Sequence, residues 1–351
     1  MPISPARTIA FDALLRVENE AAYASEVLHA RLSENTAAKV SARDAALATE
    51  IVMGALRWQR LLDFFIEQYT AKKTIALDVE VLIALRIGIY QLRHLARIPA
   101  SAAVHESVEL VKRARKQSAA SLVNAVLRRA AAENAKPASD FLPREVASAD
   151  ALGLLHSHPT WLVERWLERF GRERTVALLE ANNEAPRRVC AAISQENREE
   201  VLRSLADAQV VCEPGRLARD AITIRSGDVT QTKAFQNGWI SFQDEASQII
   251  PLLLRVKAGE SVLDVCAAPG GKTMALAQKT GRAGLVIAAD RRENRLRAMR
   301  ERLAHAHVPN VNMIALDGTA SLPFRATFDR ILVDAPCSGT GTLSRNPEIR
   351  W

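Results

Sequence analysis

A chain of 351 residues allows two or three domains, and its sparse aromatics (5%) beside abundant alanine favour helical packing over a β-sandwich. The formal net charge of +7, from 47 basic and 40 acidic residues, is only mildly basic. Four scattered cysteines without a C-x-x-C pair exclude a disulfide framework and a zinc site and suit a reducing compartment. The amino terminus shows no charged segment followed by an apolar one, and the apolar stretch near Val81 to Leu92 is broken by Arg86. A soluble, cytoplasmic protein without membrane contact is therefore expected.

Residues 1–135 carry helical periodicity. Phe11, Leu14 and Leu15 form one apolar face; Leu47, Ile51, Ala55, Trp58 and Leu62 another; Leu82, Leu85, Ile89 and Leu92 a third. Pro99 and Ser101 open a further helix with Val104, Val108 and Val111, and Leu122, Val123, Val126 and Leu127 make the next, so a compact all-α bundle is expected. Between Arg86 and Arg129 the basic side chains, Lys112, Arg113, Arg115, Lys116, Arg128 and Arg129 among them, face only Glu106 and Glu109. Such an excess attracts a phosphate backbone, although a solvated helix face reads the same way.

Residues 136–160, with Pro137, Pro143 and Pro159, read as a linker. His156 and His158 lie in it without carboxylate or cysteine partners at ligand spacing, so no metal is expected. Residues 161–238 read as a small α/β module: helical patterns at 161–170 and 172–181, a strand at 188–193, a helix at 198–208, and short strands at 210–211 and 221–224.

Residues 239–351 hold the chemistry. Ser261-Val-Leu-Asp-Val-Cys-Ala-Ala-Pro-Gly-Gly-Lys-Thr273 reads as strand, glycine loop and helix, which aims backbone N–H groups and the positive end of a helix at a ligand. A phosphate-binding P-loop would need glycine where Cys266 stands, so that reading fails. A nucleoside reading does better, because the run Leu285–Ala289 ends in Asp290, about 20 residues past the glycines, where an acid can hold a ribose. Two more runs end in Asp317 and Asp334. Aspartates at the carboxyl ends of successive parallel strands face one crevice, although each alone reads equally well as a turn residue or N-cap. Past the fourth strand, Cys337 follows a proline at the lip of that crevice, placed for covalent chemistry, with Gly339 and Gly341 beyond it. Cys266 reads as a small buried hydrophobe inside a strand.

Leu263–Thr273, Asp334-Ala-Pro-Cys-Ser-Gly-Thr-Gly341 and Arg345-Asn-Pro-Glu-Ile-Arg-Trp351 resemble the RsmB/Nop2/Sun family of RNA cytosine-C5 methyltransferases, and Gln243–Gln248 resembles the segment leading into its catalytic domain. Ile98-Pro99, Val104–Leu110 and Val123–Arg128 are similar to a NusB-like RNA-binding domain, and 161–238 to the family's RRM-like segment. The resemblance implies a partial doubly wound, Rossmann-like methyltransferase domain that binds S-adenosylmethionine. In it, Cys266, Ala267, Ala268, Pro269, Gly270, Gly271 and Lys272 would hold the methionine portion, Asp290 the ribose and Asp317 the adenine, with Asp334 between cofactor and target base. It further implies action on C5 of a cytosine in small-subunit (16S) ribosomal RNA through a cysteine–C6 adduct; a monomer is expected. Spacing alone names Cys337 the nucleophile, whereas the resemblance gives it product release and assigns attack to a later cysteine. No cysteine follows Cys337, and the strand Ile331-Leu-Val333 would be an open edge, so a fragment that does not methylate RNA is the expectation. An amino methyltransferase is disfavoured by the thiol at Cys337. A non-catalytic NusB-like scaffold that binds S-adenosylmethionine is the alternative.

Overall fold

The computed structural model describes residues 3–20, 22–34, 40–134, 136–141, 148–193, 198–325 and 327–351. They form two compact units, Met1–Pro186 with Gly339–Trp351, and Arg187–Ser338.

The first unit is helical: α1 (Pro5–Glu20), α2 (Ala24–Glu34), α3 (Ala42–Arg57), α4 (Gln59–Thr70), α5 (Val79–His94), α6 (Ala100–Arg113), α7 (Ala120–Ala132), α8 (Ala149–Leu155) and α9 (Thr160–Asn183). The apolar spacing drives this. Phe11, Leu14, Ile51, Ala55, Leu62, Leu85, Ile89, Val111, Val123 and Leu127 are all buried in one core. Local signals set the ends, as where the Ser41 hydroxyl accepts from the Asp44 amide at 3.0 Å and starts α3.

Helix α5 is buried from Val81 through Leu92, which makes it the centre of the bundle and puts Arg86 in the core. Its guanidinium donates to both Asp63 carboxylate oxygens at 2.7 and 2.8 Å and to Glu18 at 3.0 Å. The sequence count that left Arg86 in a surface cluster opposed by two glutamates is thus corrected, because helices distant in sequence supply the countercharge.

The stretch read as a linker contains α8, which Ser148 caps by accepting from the Ala151 amide at 3.1 Å; residues 142–147, Pro143 included, lie outside the described residues. The two helical patterns at 161–170 and 172–181 run together as α9, interrupted at Gly171, whose φ of 72° only glycine adopts without strain. Leu152, Leu162, Val163, Trp166 and Leu179 form a second core there with Leu343 and Ile349. His158 is buried, its Nδ1 2.7 Å from the His156 carbonyl, and burial pushes it down to about 3. It is a neutral packing residue. Among the described residues no group of His, Cys, Asp and Glu is arranged to hold a metal ion.

The second unit holds two sheets. In the first, β1 (Arg188–Ala192), β2 (Val211–Pro214), β3 (Ala221–Ser226) and β4 (Ile240–Phe242) pair antiparallel in the order β2-β3-β1-β4, and α10 (Arg198–Asp207) covers one face through Val201 and Leu205. After the short α11 (Lys233–Gln236) and α12 (Glu245–Leu253) come β5 (Ser261–Asp264), α13 (Gly271–Thr280), β6 (Leu285–Asp290), α14 (Glu293–His305), β7 (Val311–Ala315) and β8 (Arg330–Leu332). These four strands are parallel in the order β7-β6-β5-β8, so the winding reverses between β5 and β8. Strand β8 is shorter than its apolar run and pairs with β5 alone among the described strands, leaving Ile331 and Val333 exposed.

Candidate functional site

The site is built on the strand at the reversal. β5 is hydrogen-bonded on both sides and its apolar residues Val262 and Leu263 are buried, so the loop it emits starts from a fixed point. That loop turns at Gly270 (φ 98°), where a Cβ would lie 2.8 Å from Met299 Cγ. Both the backbone angle and the close approach require glycine. Gly271, Lys272 and Thr273 then form the first turn of α13, with the positive end of that helix facing the strand tips. Cys266, expected inside a strand, sits in the turn two residues past the end of β5, a correction that follows from β5 ending at Asp264.

Three carboxylates converge on this loop. Asp264, 1% exposed, accepts from the Thr273 hydroxyl at 2.7 Å through Oδ2, while its Oδ1 is buried without a hydrogen-bond partner. Burial, only partly offset by Thr273 and Lys272 and reinforced by Asp334 and Asp290, pushes its carboxyl up to about 6. Asp290, at the end of β6, accepts from the Ala268 amide at 3.2 Å and the Arg292 amide at 3.0 Å, and Arg295 lies 3.8 Å away. Each of its oxygens keeps a second acceptor direction for a sugar hydroxyl. Asp334, just past β8, is paired with Lys272 at 2.6 Å, which ties the fourth strand to the loop.

Asp317 stands two residues beyond β7. It is exposed, and its Oδ1 accepts from both the Thr319 amide (2.9 Å) and hydroxyl (2.6 Å), bonds that hold it below the usual carboxylate range. It is a turn-former as well as a strand-tip acid.

The thiols differ sharply. Burial raises Cys190 to about 12 and also raises Cys212; burial, then Asp290, Asp264 and Asp334, raise Cys266. Cys337 alone of the four is exposed, three residues after Asp334.

The sequence reading passed over Asp264 and Arg295. An acid inside the apolar run Val262-Leu-Asp-Val265 was the available signal for the first; the second, which also donates to the Ala268 carbonyl at 3.3 Å, left none beyond lying five residues past Asp290.

On the helical unit, the predicted basic surface is largely neutralised. Lys112 pairs with Glu109 (2.7 Å), Arg113 with Asp12 (2.9 Å), Lys116 with Asp78 (3.0 Å), and Arg129 reaches Glu133 at 3.9 Å. Asp12 and Asp78 lie outside the counted window, which corrects the expectation that only Glu106 and Glu109 oppose these residues. Arg115 and Arg128 are exposed and make no ion pair among the described residues.

A reversal point in a parallel sheet, a glycine loop and strand-tip carboxylates around a gap suited to a cation are the features of an S-adenosylmethionine-dependent methyltransferase. The residues fit that cofactor: the unpartnered Asp264 Oδ1, with Asp290 and Asp334 nearby, complements an ammonium and a sulfonium charge.

Residues 4–132 match the NusB family, 158–230 the ferredoxin-like domain of RsmF/B-like methyltransferases, and 251–351 the family described as 16S rRNA methyltransferase RsmB/F. The probable ribosomal RNA small subunit methyltransferase B of Bacillus subtilis is 33% identical over 98% of this chain and 76% of its own length. The ribosomal RNA small subunit methyltransferase B of Pseudomonas putida is 36% identical over 89% of this chain and 70% of its own. Among solved structures, the crystal structure of PH0851 covers 100% of this chain and 78% of its own at a TM-score of 0.79 and 22% identity, a likeness of fold. A methyltransferase homologue from Pyrococcus horikoshii covers 58% of this chain and 67% of its own, with a TM-score of 0.52 and 29% identity. The chain belongs to the RsmB/F family of 16S ribosomal RNA methyltransferases.

Proposed function

We propose that the methyl group goes to C5 of a cytosine in small-subunit ribosomal RNA, and that Cys337 serves release of the methylated product. The observation that carries this reading is the placement of an exposed thiol three residues beyond Asp334, whose carboxylate is tied to Lys272 of the cofactor loop at 2.6 Å.

When bound, S-adenosylmethionine supplies an electrophilic methyl on sulfur. This chain's residues do the rest of the holding: the loop Cys266–Lys272 and Asp264 the methionine end, Asp290 the ribose, and Asp317 the adenine side. Cytosine C5 is a weak nucleophile until a thiolate adds at C6 and moves electron density onto C5. After the methyl is accepted, loss of the C5 proton returns the electron pair to the ring and breaks the C6–S bond, and Cys337 assists that elimination. The target base has to leave its stack to enter such a crevice.

Arg115 and Arg128 are the helical-unit residues proposed to touch phosphate, positioning RNA without reading its sequence. The protein is proposed to act as a cytoplasmic monomer. Among the described residues no helix is long and apolar enough to cross a membrane.

In the gene's complete translated product, Cys337→Ala is expected to accumulate an RNA complex that survives denaturing electrophoresis, and digestion of wild-type product RNA to give 5-methylcytidine. Methyl found on an exocyclic nitrogen, or full turnover by Cys337→Ala without a covalent complex, overturns the proposal.

A further inference from the structure

We infer that the solvent face of α14 is a contact surface for the RNA backbone, on which Arg297 and Arg300 take phosphates of the strand that flanks the target nucleotide. The inference deepens the ribosomal RNA reading above and rests on it.

Between Arg291 and His305 stand six arginines, at 291, 292, 295, 297, 300 and 302, with no lysine and only Glu293 and Glu301 as acids. All six are exposed, while Leu296, Met299 and Leu303 turn inward to the sheet. The basic run on the helical unit is met by Glu109, Asp12, Asp78 and Glu133. Here, among the described residues, only Arg295 reaches a carboxylate, that of Asp290 at 3.8 Å. The remaining five guanidinium groups face water with their charge unspent.

Folding does not account for this pattern. Arg292 occupies the N-cap of α14 and its side chain makes no capping bond, where Ser, Thr, Asp or Asn would cap the helix. Arg291 and Arg292 put positive charge at the positive end of the helix, and Arg297 and Arg300, one turn apart, repel each other. Residues that break local rules without an internal contact in return mark function. Arginine in place of lysine adds a chemical preference, because the planar fork donates two parallel hydrogen bonds to one phosphate.

The helix also starts in the right place. The Arg292 amide donates to Asp290 at 3.0 Å, so α14 springs from the strand tip proposed to hold the ribose. Its 13 residues, at about 1.5 Å each, extend roughly 20 Å from that tip. A strand lying along α14 therefore leads to the site, and contacts of this kind place it without reading its bases.

The test uses the gene's complete translated product and unmodified small-subunit ribosomal RNA transcribed in vitro, with affinity measured over a series of salt concentrations. Arg297→Gln with Arg300→Gln should lower affinity at least fivefold, and flatten the salt dependence by about 0.7 of slope for each phosphate lost on a single strand. Affinity for S-adenosylmethionine should stay within twofold and the urea midpoint should hold or rise. Arg297→Lys with Arg300→Lys should fall between, since charge remains and the fork is lost. The control removes the same charge elsewhere: Arg165 and Arg169 on α9 are equally exposed but stand among Glu164 and Glu168, and their Gln variants should cost less than twofold. Unchanged affinity and slope in the α14 double variant, or an equal loss in the α9 control, overturn the inference. A wild type that does not bind this RNA overturns the substrate reading as well, so the two failures are told apart.

Discussion

Replacing Asp264 by Asn tests whether the site stores a charge that its cofactor is needed to neutralise. The folded carboxyl sits at about 6 against an ordinary 3.8, with burial the leading cause. The acid form is thus favoured on folding: the contribution is fully present below about 4, and is lost as pH rises through about 6. A difference of about two pKa units is worth roughly 3 kcal/mol at pH 8, taken as an upper figure. Asn keeps an oxygen to accept from Thr273 and cannot ionise. The variant should match wild type near pH 4 and exceed it at pH 8, by up to about 3 kcal/mol, or some 2–4 °C of melting temperature per kcal/mol in a unit of this size. Scanning calorimetry across that range reads it. Cofactor binding adds a second readout, because an ammonium beside Asp264 favours its charged form. At pH 6 the wild type should release about half a proton on binding, seen by titration in buffers of different ionisation enthalpy, and Asp264→Asn should release less and bind more weakly. A variant with the wild-type pH slope, or one less stable at pH 8, refutes the reasoning.

Asp290→Asn should weaken S-adenosylmethionine at least tenfold in the same titration, since a carboxylate that accepts from ribose hydroxyls contributes about 1.5–3 kcal/mol; unchanged affinity would remove Asp290 from the site. Arg86→Ala leaves the partly buried Asp63 without its guanidinium and should cost about 3–5 kcal/mol in urea unfolding of that unit, whereas a cost below about 1 kcal/mol would mean that Asp63 relaxes to solvent. Arg115→Glu with Arg128→Glu should lower RNA affinity and flatten its salt dependence by about one unit of slope for each phosphate no longer neutralised. Lys112→Glu with Arg113→Glu should do so less, because those charges are already paired; the reverse order contradicts the assignment.

The architecture could be read from the residues wherever one segment carried its own signal. Val262, Leu263 and the runs ending at Asp290, Asp317 and Asp334 announced parallel strands with acids at their tips, and Ile51, Ala55 and Leu62 announced a helical face. What escaped was information distributed over distant segments. The charge of Arg86 is settled by Asp63 and Glu18, and that of Arg113 by Asp12, none visible from a local count. Asp264 looked like part of a motif, and its significance depends on its burial in β5, which β6 and β8 flank in the sheet. Gly171 marked a boundary between two helical patterns, yet Leu162 and Leu179 on either side share one core.

The return of Gly339–Trp351 to the helical unit bears on how this polypeptide can be taken apart. A cut near residue 186 liberates a bundle missing Leu343 and Ile349 from its second core, and a catalytic half that carries Gly339–Trp351 without that core. Excision that respects the architecture needs two scissions or a grafted tail.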